Sequence, residues 1–288
     1  MRAVAGVFAT CLFLVAALMG VGAFLAGGLS PGCAAECFGW RGLALALLAF
    51  FCEYVDSTLG MGYGTALTPL LMLLFGLEPL VVVPCVLLSE LATGLSAAAA
   101  HHVAGNVSFT RRARATRVAA VLAGCSVFGA AAAVVVVLHI PGSWLKLFIG
   151  LLVFTMGLLI LAAPKQGYRF SWGRITVLGM VAAFNKGASG GGYGPIVTGG
   201  QILSGIEDKS AIGITSLAEG LTCVVGLAAY LVAGRTVAWA IALPMIIGAL
   251  SSVPVSALTV SRVRALQLRK LVGVTTLFLG ALTLIRLL

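Results

Sequence analysis

The side chains of this sequence that could do chemistry are few, and they lie where an apolar sequence has little ordinary use for them. Lys186, Glu90 and Glu219 each sit deep inside an apolar stretch, and Glu53 and Asp56 lie near the middle of another. A charge at the centre of a membrane-spanning helix costs about 2.5–3.5 kcal/mol on insertion scales, so each should face the protein interior with a partner. Lys186, next to Asn185, has two readings: it draws in an anion, or it forms a structural pair with Asp56. Glu90 shares a helical stripe with Thr93 and Ala97, and Glu219 shares one with Thr215, Ser216 and Thr222. A carboxylate so placed can carry a proton, which makes Glu90, Glu219 and Asp56 candidate ion-coupling residues. The alternative is that the two glutamates cap backbone groups freed by a neighbouring helix break. His101 and His102 end the Glu90 stretch, where an interfacial or gating role is one reading, and His139 reads as a loop residue.

The elements that position these groups follow from composition. Of 288 residues, 61% are hydrophobic and 9% charged, against about 45–50% and about 25% in ordinary soluble chains. So few charges cannot cover a soluble surface. A soluble enzyme, a nucleic-acid module, a secreted disulfide scaffold and a disordered chain are all excluded, and the composition indicates an all-α polytopic membrane protein. The net charge of +10 then belongs to loops that hold orientation, not to nucleic acid. Of the seven cysteines, five lie within apolar runs; Cys33 and Cys37 share a loop, and nothing in the sequence forces them to pair.

Apolar runs fall at 4–29, 42–76, 79–103, 115–139, 143–163, 173–205, 209–233, 236–259 and 266–288. The first reads as an uncleaved helix, because it is longer than the core of a signal peptide. Two runs exceed thirty residues, and each is interrupted by glycines: Leu59-Gly60-Met61-Gly62-Tyr63-Gly64 and Ser189-Gly190-Gly191-Gly192-Tyr193-Gly194. Glycine at that density does not sustain a helix, so each long run is expected to be helix, unwound turn, helix. Helices should resume at about Thr65 and Pro195, with proline in the first helical position, where no N–H is needed.

These breaks also mark an internal repeat. Gly-X-Gly-Tyr-Gly recurs at an offset of 130, while Glu90/Glu219 and Val103-Ala104-Gly105/Val232-Ala233-Gly234 recur at 129. The expected organisation is an N-terminal membrane helix and external loop (1–40), repeat 1 (41–164) and repeat 2 (165–288), each repeat a glycine-broken hairpin followed by three crossings. If each broken run returns to the side it entered, thirteen Lys/Arg share one face and four the other; if each crosses once, no bias appears. The positive-inside rule selects the first topology, with a cytoplasmic N-terminus and an external C-terminus. The two hairpins then enter from opposite faces, which makes the repeats inverted, a common construction in secondary transporters. Whether the hairpin arms cross fully or halfway stays open.

Unwound backbone survives in a membrane only inside protein or lining a wet cavity, so the two breaks should face each other. Two helix N-termini pointing to the midplane would form an anion site. Its candidate residues are Gly60, Gly62, Tyr63, Gly64, Asn185, Lys186, Ser189, Gly190, Gly191, Gly192, Tyr193 and Gly194, with Ser57 and Thr58 as further hydroxyl donors. The plainer reading is that these glycines serve close helix packing. No metal cluster, nucleophile elbow or P-loop ending is present, so neither an enzyme nor a cofactor is expected.

At these residues the sequence resembles the sulfite exporter TauE/SafE family, the 4-toluene sulfonate uptake permease superfamily. Members are similar in size and carry two copies of a glycine-rich stretch followed by proline, here Gly60–Gly64 with Pro69 and Gly190–Gly194 with Pro195. The resemblance spans approximately residues 42–285, and both copies place Tyr where many members have Gly or another residue. It implies a secondary transporter of sulfur-containing anions such as sulfite, thiosulfate or organosulfonates, coupled to protons; the residues and the resemblance together read as an inner-membrane carrier working by alternating access. Two rivals are an anion channel of the same architecture and a non-transporting scaffold subunit. The expected partners are a small anion, protons and the lipid bilayer, with homodimerisation through glycine faces left open.

Overall fold

A computed structural model describes residues 39–110, 113–162, 170–259 and 265–286. The 4–29 run and the Cys33/Cys37 loop lie outside the described residues, which form ten α-helices and no strand. The first five are α1 (Trp40–Leu59), α2 (Tyr63–Phe75), α3 (Pro79–Val103), α4 (Arg114–His139) and α5 (Gly142–Ala162). The second five are α6 (Trp172–Ser189), α7 (Tyr193–Leu203), α8 (Asp208–Val232), α9 (Trp239–Thr259) and α10 (Ala265–Ile285).

Both long apolar runs are interrupted at their glycines. α1 stops at Gly60 (φ 69°), whose amide donates to Asp56 O at 2.5 Å, and α6 stops at Gly190 (φ 72°), whose amide donates to Lys186 O at 2.8 Å. Gly62 (φ 139°) and Gly192 (φ 76°) then turn the chain into the next helix. Left-handed backbone at both ends of each break carries no Cβ penalty for glycine and a real one for other residues. Helices resume at Tyr63 and Tyr193, two residues earlier than expected, because a second positive-φ glycine completes each turn. Pro195 is consequently the third helical residue and not the first; it still needs no N–H, since the first four helix amides lack intrahelical acceptors. His139 corrects another expectation: it is the last residue of α4, and its Nδ1 donates to Val135 O at 2.7 Å.

Among the described residues, six helices (α1, α3, α4, α5, α8 and α9) contain stretches long and apolar enough to cross a bilayer. α2 has 13 residues and α7 has 11, or about 20 and 16 Å at 1.5 Å per residue. Both fall short of a hydrocarbon core of about 30 Å, so the arms that follow the breaks are too short to cross it. Large apolar side chains such as Phe51, Phe128, Trp144 and Phe278 stand exposed, as contact with lipid tails allows and water disfavours. The chain is a multi-pass membrane protein.

Packing is ordered by glycine. α1 lies on α9 and α6 on α4; α3 packs on α8, and α5 on α10; α4 also meets α8, and α9 meets α3. Exchanging the first five helices with the last five reproduces this set of partners. A Cβ at Gly248 would sit 2.0 Å from Ala46 O between α9 and α1, and one at Gly129 would sit 2.8 Å from Met180 O between α4 and α6. Helices in lipid gain nothing from burying oil in oil, so backbone proximity through small residues supplies the attraction.

Candidate functional site

The two breaks meet in the interior, backbone against backbone. A Cβ at Gly64 would lie 1.7 Å from Gly190 O; one at Gly194 would lie 2.5 Å from Gly60 O; one at Gly191 would lie 2.7 Å from Thr65 N. Each break is clamped by a threonine from the helix that follows the other. Thr68 Oγ1 donates to Ser189 O at 3.0 Å, and Thr198 Oγ1 donates to Gly60 O at 2.6 Å. These carbonyls end helices and lack intrahelical partners. The two threonines are separated by the repeat offset of 130, the signal by which sequence reasoning could have found them. Behind Thr198, Gln201 Nε2 lies 2.9 Å from Thr215 Oγ1, which lies 2.8 Å from Thr198 Oγ1. Valine is isosteric but has no hydroxyl, so Thr198→Val and Thr68→Val are each expected to cost about 1–3 kcal/mol by leaving a buried carbonyl unpaired. Thermal unfolding in detergent checks this, and Thr198→Val should be the more damaging, because Thr215 loses a partner as well.

The charged groups gather beside the clamp. Lys186, fully buried on α6, donates to Glu90 Oε2 of α3 and to Glu219 Oε1 of α8, the latter at 2.8 Å. Carboxylate oxygens of Asp56, Glu90 and Glu219 lie within 4.8 Å of one another. Glu53, one turn before Asp56, accepts from Ser57 Oγ at 2.5 Å. The position of the glutamates follows from α3 and α8 crossing at glycines: a Cβ on Gly94 would be 3.0 Å from Gly220 Cα. Glu90 is one turn from Gly94, and Glu219 adjoins Gly220, so both reach a single lysine. Gly187 likewise brings α6 against α4, where a Cβ would lie 2.7 Å from Ala130 O.

This arrangement differs from the sequence expectations in specific ways. Lys186 pairs with the two glutamates and not with Asp56, whose Oδ1 instead accepts the Tyr63 amide at 3.3 Å. The glutamates bond the lysine in place of freed backbone groups. Most of the expected hydroxyl donors are engaged within the protein: Thr58 donates to Tyr54 O, Ser189 to Asn185 O, and Tyr63 Oη lies 2.6 Å from Ser89 Oγ. Tyr193 has no serine opposite it, because Ala218 stands at the position that corresponds to Ser89; its buried hydroxyl faces Thr222 of α8 instead. The N-caps Gly62 and Gly192 offer no capping side chain. The Gly192 amide donates to Thr65 Oγ1 at 3.0 Å, and the Gly191 amide to Ser189 Oγ at 3.1 Å. Asn185 is buried beside Gly192.

Chemically, this is a buried lysine held by two carboxylates with a third nearby, next to two half-helix N-termini. Buried charge of this kind in a membrane interior ordinarily marks an ion or substrate pathway.

Residues 45–283 match the family described as Sulfite exporter TauE/SafE. A protein of Bacillus subtilis (strain 168), described as "Probable membrane transporter protein YtnM", is 27% identical over 257 residues, covering 84% of this chain and 82% of that protein. No solved structure matches. With most of its length matched and its helices broken at the paired glycine stretches, the chain belongs to the sulfite exporter TauE/SafE family and is a membrane transporter.

Proposed function

We propose that this transporter carries a small sulfur-containing anion, such as sulfite, thiosulfate or an organosulfonate, by proton-coupled alternating access. Residues 41–164 and 165–288 act as inverted repeats in the inner membrane, with the N-terminus cytoplasmic and the C-terminus outside. The observation that carries this reading is Lys186, buried between Glu90 of one half and Glu219 of the other where the two glycine breaks touch. The exchangeable packing of the two sets of five helices supports the repeat.

In this mechanism the resting lysine is occupied by carboxylates. A proton arriving on Glu90 or Glu219 removes a competing negative charge and leaves the ammonium free to meet an incoming oxyanion. First-turn amides of α2 and α7 add partial positive charge on the same side. Departure of the anion restores the ion pairs and returns the proton, so charge balance couples the two fluxes. Asp56 sets how much negative charge the protons must offset.

The test is uptake of labelled sulfite into proteoliposomes under an imposed pH gradient. Wild-type protein should accumulate sulfite, while Glu219→Gln and Glu90→Gln should lose accumulation driven by the gradient. Undiminished accumulation in both variants would remove these residues from coupling, and conductance far above carrier turnover would favour a channel.

A further inference from the structure

We propose that His101 and Tyr230 are positioning residues that hold the two broken arms from pseudo-equivalent places, His101 the turn bearing Asp56 and Tyr230 the turn bearing Lys186. His101 Nε2 lies 2.9 Å from Ser57 O, and Tyr230 Oη donates to Gly187 O at 3.1 Å. Ser57 and Gly187 each follow the charged residue directly, and each stands three residues before the glycine that ends its helix. Both side chains are fully buried. Each sits two residues before the end of its helix, α3 or α8.

The match extends to the backbone. The Asn106 amide donates to His101 O at 2.9 Å, and the Arg235 amide to Tyr230 O at 3.0 Å; between them lie Gly105 and Gly234, both at φ 77°. His101 and Tyr230 are separated by 129 residues, the offset that relates Glu90 to Glu219. Two different side chains therefore deliver one donor to one kind of carbonyl in each half.

The last carbonyls of a helix have no intrahelical donor. Here those helix ends lie in the protein interior and carry the charges of the site, so a donor at Ser57 O or Gly187 O sets where Asp56 or Lys186 stands. Asn106 Nδ2 donates to His101 Nδ1 at 3.0 Å, so Nε2 carries the ring proton and donates to Ser57 O. The imidazole needs this second bond to keep its tautomer, whereas the phenol of Tyr230 does not. The inference rests on the reading of Asp56 and Lys186 as groups of the transport site, and the first readout below does not depend on transport.

The experiment is amide hydrogen exchange in nanodiscs, paired with labelled sulfite uptake into proteoliposomes. His101→Phe should raise exchange over residues 56–64 about tenfold while leaving 186–194 unchanged, the scale of one buried hydrogen bond. Tyr230→Phe should do the reverse. His101→Tyr, which imports the donor of the other half, should restore protection, and so should Tyr230→His. Maximal uptake should fall about tenfold in the two phenylalanine variants and recover at least half in the exchanged ones. If His101→Phe does not fold, Tyr230→Phe carries the test alone, because it removes a single oxygen. Unchanged exchange at the facing arm, exchanged variants as loose as the phenylalanine ones, or loosened arms with full uptake would each overturn the proposal. Wild-type protein that moves no sulfite, with the mirrored exchange pattern intact, would instead count against the transport reading.

Discussion

Lys186→Met is expected to abolish sulfite uptake and to destabilise the protein by about 3–5 kcal/mol, the usual consequence of leaving a buried ion pair half-made. The lysine is fully buried, and its ammonium is the cation that meets both Glu90 and Glu219, with the Asp56 carboxylate close by. Methionine is a near match in volume, so packing is preserved and the loss is electrostatic. A combined Lys186→Met, Glu90→Gln, Glu219→Gln variant removes charge from both sides and should recover most of the lost stability. It should still fail to take up sulfite, since the buried ammonium that would meet the anion is gone. Thermal unfolding in detergent together with uptake separates the two effects. Wild-type uptake by the single variant would eliminate Lys186 from the site, and a triple variant less stable than the single one would show that the cluster is not held together by charge.

Gly64→Ala and Gly194→Ala should prevent the native fold from assembling. The added methyl would stand 1.7 Å from Gly190 O in one case and 2.5 Å from Gly60 O in the other. Ordinary overpacking costs about 1–3 kcal/mol when side chains can shift; here the obstacle is backbone from the opposing break, which has no rotamer to change. Gly124→Ala and Gly199→Ala are the matched controls. Both glycines lie within helices, and neither has an atom within 4 Å of an added Cβ. Alanine there should be neutral or stabilising by up to about 1 kcal/mol, the difference in helix propensity. The yield of monodisperse protein on size-exclusion chromatography reads out all four. Normal assembly of Gly64→Ala would mean that the two breaks do not touch.

The local features of this architecture were legible in the residues. Runs of apolar side chains marked the helices, and paired glycines marked where α1 and α6 must stop, because backbone conformation there depends on the residue's own Cβ. Buried charges announced themselves by type and depth alone. The repeat offset already held Thr68 with Thr198 and His101 with Tyr230, although nothing local in those residues marked them out.

Which group each charge meets was decided only in three dimensions. Sequence symmetry pairs Lys186 with Asp56, yet Lys186 lies between Glu90 and Glu219 because α3 and α8 cross at Gly94 and Gly220, which brings both carboxylates to one ammonium. The shortness of α2 and α7, and the commitment of Tyr63 to Ser89 where Tyr193 meets no serine, have the same origin. Helix ends are set by a few neighbouring dihedral angles, whereas the partner of a buried charge is set by crossings between helices far apart in the chain.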